Sequence, residues 1–148
     1  MIETQQFCTL HLDGLLFGVE VMKVQEVMRY QEMTRVPLAS PVVGGLINLR
    51  GQIVTAIDLR RRLQLPPLPA DQLPMNMVVR TEEGVVSLLV DEIGDVLEVS
   101  EDAFESPPDT LKGSAREFIR GTYKLRERLL LILDTQKVVK IAPPSEAA

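Results

Sequence analysis

The segment Gly45 to Leu63, GLINLRGQIVTAIDLRRRL, returns without a gap as Gly121 to Val139, GTYKLRERLLLILDTQKVV. The overlay pairs Gly45 with Gly121, Leu49 with Leu125, Arg50 with Arg126 and Asp58 with Asp134, and sets Ile53, Val54 and Ile57 on Leu129, Leu130 and Leu133. A shorter match lies upstream of each copy, Val21-x-x-Val24-x-Glu26-Val27 against Val90-x-x-Ile93-x-Asp95-Val96. The chain reads as one unit used twice, over roughly 7–63 and 77–139. A duplicated small unit implies two similar modules side by side, with a groove where they meet, and grooves between modules are where ligands and partner helices lie.

Units of about 65 residues are marginal alone, so the two modules are expected to share a core. Short strands dominate the pattern. Phe7 to Leu12 and Leu15 to Val19 flank Asp13-Gly14, a hairpin signal because glycine takes the positive φ that a tight turn needs. Met77 to Val79 and Val85 to Val90 repeat this arrangement around Glu83-Gly84. Val21, Val24, Val27 and Met28 fall at helical spacing and predict a short amphipathic helix, whereas Gly94 breaks the counterpart Asp91 to Val96 into a turn and strand. Leu46 to Leu49 and Gln52 to Ile57 read as strands about a turn near Gly51. Asp58 and Asp134 are placed to cap short helices over Leu59 to Leu63 and Thr135 to Val139. The proline-rich Gln64 to Met75 is the natural boundary between copies, Ser100 to Arg116 is a long polar connection, and Ala142 to Ala148 is expected to lack order. The pattern indicates an all-β fold of two small barrels.

Catalytic groupings are scarce. His11 is the single histidine, and Cys8, the single cysteine, precedes it by three residues on one strand, hence on the opposite face. A lone cysteine forms no internal disulfide and favours a reducing compartment. The N-terminus shows no secretory signal and no apolar run is long enough to span a membrane, so a cytoplasmic soluble protein is expected. No phosphate-binding glycine loop and no zinc ligand set occurs. The acidic stretch Asp91, Glu92, Asp95 and Glu98 fits an exposed rim. A net charge of −5, aromatic content of 4% and absent tryptophan disfavour a nucleic-acid partner.

Arg60-Arg61-Arg62 is the one basic cluster; for Arg61 and Arg62 a solvated helix face near the helix C-terminus is the simpler reading. Arg50 differs, because it stands beside a turn among neighbours Leu49, Ile53 and Val54 that should be buried. It is either a rigid fork for a partner's carboxylate or one half of an internal salt bridge to Glu26 or Asp58.

The run Asn48-Leu-Arg-Gly51, Ile53-Val54, Ile57-Asp58-Leu59-Arg60 resembles the CheW family of bacterial chemotaxis coupling proteins. Lys23 to Val27, Thr34-Arg35-Val36 and Val90 to Val96 extend the likeness over about 7 to 140. Thr55 stands where the family usually has proline. The resemblance implies a single CheW-like domain of two SH3-like five-stranded β-barrels with short helices and a shared core, the first mainly 14–75 and the second mainly 76–134 as approximate subdomains, with the terminal segments free to cross over. It implies a non-catalytic adaptor without cofactor or metal, tying the cytoplasmic tip of a chemoreceptor (a methyl-accepting chemotaxis protein) to the regulatory domain of a CheA-type histidine kinase. No receiver domain is seen after residue 140. Such a protein is cytoplasmic, is recruited to receptor arrays and neither inserts into a membrane nor binds nucleic acid. By position, Val24, Glu26, Arg50, Val85 and Val86 match the receptor-facing groove and its surroundings. A neighbouring reading is an adaptor of a chemosensory-like pathway controlling pili, development or second-messenger output.

Overall fold

The structure, a computed structural model, describes residues 3–107 and 113–141. The tail 142–148 and part of the polar connection 100–116 lie outside these. Strands β1 (Thr4–Leu12) and β2 (Leu15–Glu20) form the first hairpin, and Asp13 and Gly14 both take positive φ, 50° and 79°, the combination that suits strand twist. After β3 (Val24–Met28) come β4 (Val43–Leu49), β5 (Gln52–Asp58), α1 (Leu59–Arg62), β6 (Met75–Thr81), β7 (Gly84–Val90) and β8 (Glu92–Ser100). The chain continues through β9 (Phe104–Glu105), α2 (Ser114–Glu117), β10 (Ile119–Lys124), β11 (Leu129–Leu133) and α3 (Thr135–Val138). Both expected caps form: the Asp58 carboxylate accepts from the Arg61 N–H and the Asp134 carboxylate from the Lys137 N–H, each at 3.1 Å.

The helix expected around Val21 to Met28 does not form. Only Val21–Lys23 coil, as one 3-10 turn, and Val24–Met28 is an edge strand antiparallel to β6. β-Branched valines lose little on extension, and β6 offers a ladder of hydrogen bonds that a one-turn helix cannot match. The strand expected after Asp91 is present as β8.

The strands form a six-stranded sheet, β8-β1-β2-β11-β10-β9, and a five-stranded sheet, β3-β6-β7-β5-β4. The fold is all-β, with two SH3-like barrels. Strand for strand, β3 corresponds to β8, β6 to β1, β7 to β2, β5 to β11 and β4 to β10, so the two sheets repeat one order. Each copy gives its first hairpin to the other copy's sheet. Hairpin β1–β2 joins β8, β10 and β11, while β6–β7 joins β3, β4 and β5. The exchange creates the two parallel pairings, β2 with β11 and β5 with β7. The five-stranded sheet runs continuously from Val24 to Val90, and the six-stranded sheet gathers both ends of the chain. The physical reason is that parallel neighbours cannot be joined by a tight turn, so they are drawn from different copies.

Alternation along β11 divides the core. Leu131 and Leu133 face a central cluster shared by both sheets, with Leu10, Phe17, Met77, Val79 and Leu88. Leu130 and Ile132 face a cluster of the six-stranded sheet with Phe7 and Tyr123. A third cluster, around Ile47, Val54, Ala56 and Val78, belongs to the five-stranded sheet. The shared core expected for marginal halves is the largest of the three.

The repeated glycine also has a spatial cause. A Cβ on Gly45 would lie 2.9 Å from the Thr34 carbonyl oxygen, and one on Gly121 would lie 2.1 Å from the Phe104 ring and 2.6 Å from the Glu105 carbonyl oxygen. In both copies the segment returning from the preceding edge strand crosses the sheet there, by the Thr34–Leu46 bridge and by the β9–β10 pairing.

Candidate protein-docking surface

Arg50 and Gly51 form the two-residue turn between β4 and β5, with φ of 53° and 87°. The Asn48 Oδ1 accepts from the Gly51 N–H at 2.8 Å and fixes that turn. The guanidinium so positioned donates Nη1 to Glu26 Oε2 and Nη2 to Glu26 Oε1, both at 2.8 Å. Glu26 is on β3 and Arg50 follows β4, the two opposite edges of the five-stranded sheet. The bidentate pair thus clasps the curled sheet across its edges. Of the two internal acceptors considered, Glu26 is the partner; Asp58 caps α1 instead. The Arg50 side chain remains 75% exposed and that of Glu26 18%, so the clasp also faces solvent.

The second copy lacks the clasp. Glu127 replaces Gly51, the left-handed turn is lost, and Arg126 is exposed without an ion pair among the described residues. Asp95, the counterpart of Glu26, offers its backbone carbonyl to the Thr9 hydroxyl at 2.6 Å.

The three valines occupy different environments. Val24 opens β3 opposite Val79 and packs, half-buried, on the central core. Val86 shares that face but is only 7% exposed. Val85 alternates to the other face of β7 and is half-buried against the cluster of the five-stranded sheet. Ile53 departs from expectation: Leu49 and Val54 are buried, but Ile53 is 62% exposed. The parallel pairing with β7 starts at Thr55 against Val86, so Ile53 lies ahead of it, near the start of β5. A sequence reader sees an apolar residue in an apolar strand; the uncovered position becomes visible only once the exchange supplies β7 as neighbour. Solvent thus reaches the Arg50–Glu26 pair, Ile53 and part of Val24, while Val85 is partly open on the other face of the sheet.

Two other charged groups correct the sequence reading. Arg60 is buried and donates Nε and Nη2 to the Asp91 carboxylate at 2.7 and 2.6 Å and Nη1 to the Pro66 carbonyl at 2.7 Å. Asp91 also accepts the Asp13 N–H at 2.9 Å, so it is an internal anchor rather than part of an exposed rim. Arg62 is not a solvated side chain. It stacks over Phe118 at 4.6 Å and donates to the carbonyls of Lys137, Val138 and Lys140, closing the C-terminus of α3. The exposed Arg61 agrees with the solvated reading. α1 is a single turn, and the side chains leaving it find partners beyond it: Arg60 at Pro66 and Asp91, Arg62 at the carbonyls of α3.

Cys8 packs on the central core, and burial pushes its thiol above the ordinary 9.0, away from the nucleophilic thiolate. The His11 Nδ1 is buried and has no hydrogen-bond partner among the described residues, and Nε2 lies 3.4 Å from the Arg128 guanidinium. Among the described residues, no helix is long and apolar enough to cross a membrane.

Comparison with known proteins gives a consistent picture. A family model described as CheW-like domain matches residues 6–142. The chain is 33% identical to the chemotaxis protein CheW of Bacillus subtilis over 128 residues, 86% of this chain and 82% of that protein. It is 30% identical to the chemotaxis protein CheW of Klebsiella aerogenes over 135 residues, 91% of this chain and 81% of that protein. The crystal structure of the scaffolding protein TtCheW from Thermoanaerobacter tengcongensis superposes with a TM-score of 0.85 at 23% identity, covering 94% of both chains, which shows a common fold. The repeat, the paired sheets and these likenesses agree: the chain belongs to the CheW-like domain family, whose matched relatives are chemotaxis proteins.

Proposed function

We propose that this chain is a non-catalytic adaptor that couples chemoreceptor signalling tips to a CheA-type histidine kinase in bacterial chemotaxis. The observation that carries the reading is the solvent-facing Arg50–Glu26 clasp, with Val24 two residues before Glu26 and exposed Ile53 three after Arg50. A receptor helix laid along this surface places apolar side chains at helical spacing against Ile53 and Val24. At one end it meets a charge pair whose arginine is already oriented by its turn and partner, so little side-chain freedom is lost on binding. The kinase's regulatory domain, built on the same double barrel, is the second partner. The protein works in the cytoplasm, at receptor arrays, and contributes no reacting group: its one cysteine is half-buried against the core, where burial pushes the thiol up.

Arg50→Glu tests the reading. The clasp is largely exposed, so losing it and facing Glu26 with a second carboxylate should cost about 1 kcal/mol of stability. Affinity for a purified receptor signalling-tip fragment should fall by about 2 kcal/mol or more if Arg50 is a hot spot. Unchanged receptor affinity in a titration with the folded variant would place the receptor elsewhere.

A further inference from the structure

Each copy follows its last strand with a one-turn helix, and the two helices reach in opposite directions. The overlay that pairs Asp58 with Asp134 also sets Leu59 on Thr135, Arg60 on Gln136 and Arg62 on Val138. Leu59 and Thr135 are both buried, and the residue after each reaches out of its own sheet. α1 follows β5 of the five-stranded sheet; from it Arg60 reaches Asp91 and, through that carboxylate, the Asp13 N–H in the turn between β1 and β2 of the six-stranded sheet. α3 follows β11 of the six-stranded sheet; from it Gln136 Oε1 accepts from the Glu82 N–H at 3.2 Å, in the turn between β6 and β7 of the five-stranded sheet. Each helix is thus tied to the hairpin that its own copy placed in the opposite sheet, and the barrels are held together by a pair of crossed braces.

The braces are unequal. The first is charge-assisted and sheltered, since the Arg60 and Asp91 side chains are both largely buried. The Arg60 guanidinium also lies 3.9 Å from the Asp13 carboxylate, and the Asp91 N–H donates to the His11 carbonyl at 3.1 Å. Arg62 reinforces it from the same turn by holding the C-terminal carbonyls of α3. On the other side, the upstream overlay puts Met22 where Asp91 stands, without a carboxylate, and Val138 stands for Arg62, without a donor. The second brace is therefore a neutral bond at the surface, where water competes for both groups. Beneath it the Thr135 hydroxyl is buried with no hydrogen-bond partner among the described residues. Such a hydroxyl lacks the hydrogen bonds it makes in water, so a movement that admits water here restores them.

We propose that the two barrels hinge on the Arg60 brace and open on the Gln136 side, with the Thr135 hydroxyl taking up water as they do. The central core is shared, so the motion is a slight rotation over packed side chains rather than a separation. It belongs to the free chain, whatever partners that chain has, and so goes beyond the adaptor reading. Rotation of packed units about an interface is also a means by which binding at one is felt at the other.

Paired spin labels on the full chain, in a Cys8→Ala background, measure both sides. Glu83→Cys with Lys140→Cys spans the second brace and Leu15→Cys with Arg61→Cys the first; all four positions are exposed. The second pair of sites should give a clearly broader distance distribution than the first. Gln136→Ala should broaden it further and leave the Leu15–Arg61 distribution unchanged. Thr135→Val removes the hydroxyl at nearly constant shape; it should narrow the Glu83–Lys140 distribution and raise the denaturation midpoint. On the unlabelled chain, the Glu82 amide should exchange with deuterium about tenfold faster than the Asp13 amide, or more. Distributions of equal width, or a Glu83–Lys140 width that neither substitution moves, overturn the hinge. Broadening at Leu15–Arg61 with Gln136→Ala, or equal exchange at the two amides, overturns the division into a fixed and an opening side.

Discussion

Arg60→Ala should destabilise the protein by about 3 kcal/mol, the lower end of what removing one partner of a buried ion pair costs. Arg60 is 9% exposed and makes two hydrogen bonds to Asp91 and one to the Pro66 carbonyl. Truncation leaves the Asp91 carboxylate with the Asp13 N–H alone. The Asp91 side chain is 17% exposed, so some water reaches it, which sets the lower end of the range. Burial alone would raise the Asp91 carboxyl, but the Arg60 hydrogen bonds, the Asp13 N–H and the Arg60 charge together hold it below the ordinary 3.8. A carboxyl depressed in the folded state stabilises above the unfolded value and loses that contribution as pH falls through the folded one. Urea denaturation at neutral pH should show the midpoint falling by about 1.5 M, for a slope near 2 kcal/mol per M. Arg60→Met with Asp91→Leu should recover most of the loss and show a smaller fall in stability on acidification below pH ~4, because no buried charge is left unpaired. A midpoint shift under about 0.5 M for Arg60→Ala would refute the anchor. A double variant as unstable as the single one would locate the loss in packing or in the Pro66 contact rather than in the carboxylate.

Gly121→Ala should cost about 2 kcal/mol or more, because the added Cβ meets both the Phe104 ring and the Glu105 carbonyl oxygen; adding Phe104→Ala should recover only part, and an unchanged melting temperature for Gly121→Ala would refute the crossing described above. Val86→Glu should cost more than about 3 kcal/mol, since an ionised carboxylate would enter the shared core, and receptor binding should fall only as far as the folded fraction does. Full stability with lost binding would return Val86 to the partner surface.

Much of this molecule was legible in residue order. The Asp13-Gly14 hairpin, the caps at Asp58 and Asp134 and the strand after Asp91 follow from local chemistry, which acts over a few residues and so leaves its mark in short words. The two barrels and their common core followed from the repeat and the family resemblance. The readings that failed all depend on a distant neighbour. Val24–Met28 is extended because β6 lies beside it, Ile53 is bare because the pairing with β7 starts only at Thr55, and Asp91 is half-buried because Arg60 reaches it across the copy boundary. Arg50 stood between two readings; in the fold it pairs with Glu26 while leaving most of its side chain to solvent.

The reciprocal placement of the hairpins constrains how the protein is made. β1 and β2 leave the ribosome first, yet their sheet neighbours β8, β10 and β11 are made last. Roughly 110 residues separate the end of β2 from the start of β11, which at about 5–20 residues per second is a delay of about 5–20 s. During that interval the continuous segment from Val24 to Val90 can complete its own sheet, while the free edge of β2 waits for β11 and the core residues Leu131 and Leu133 are still missing. An open hairpin with unpaired edges pairs readily with other chains. Nascent chains therefore pass through a stage at which association competes with closure, and the last strand to be synthesised, β11, ends it by pairing with β2, one of the first.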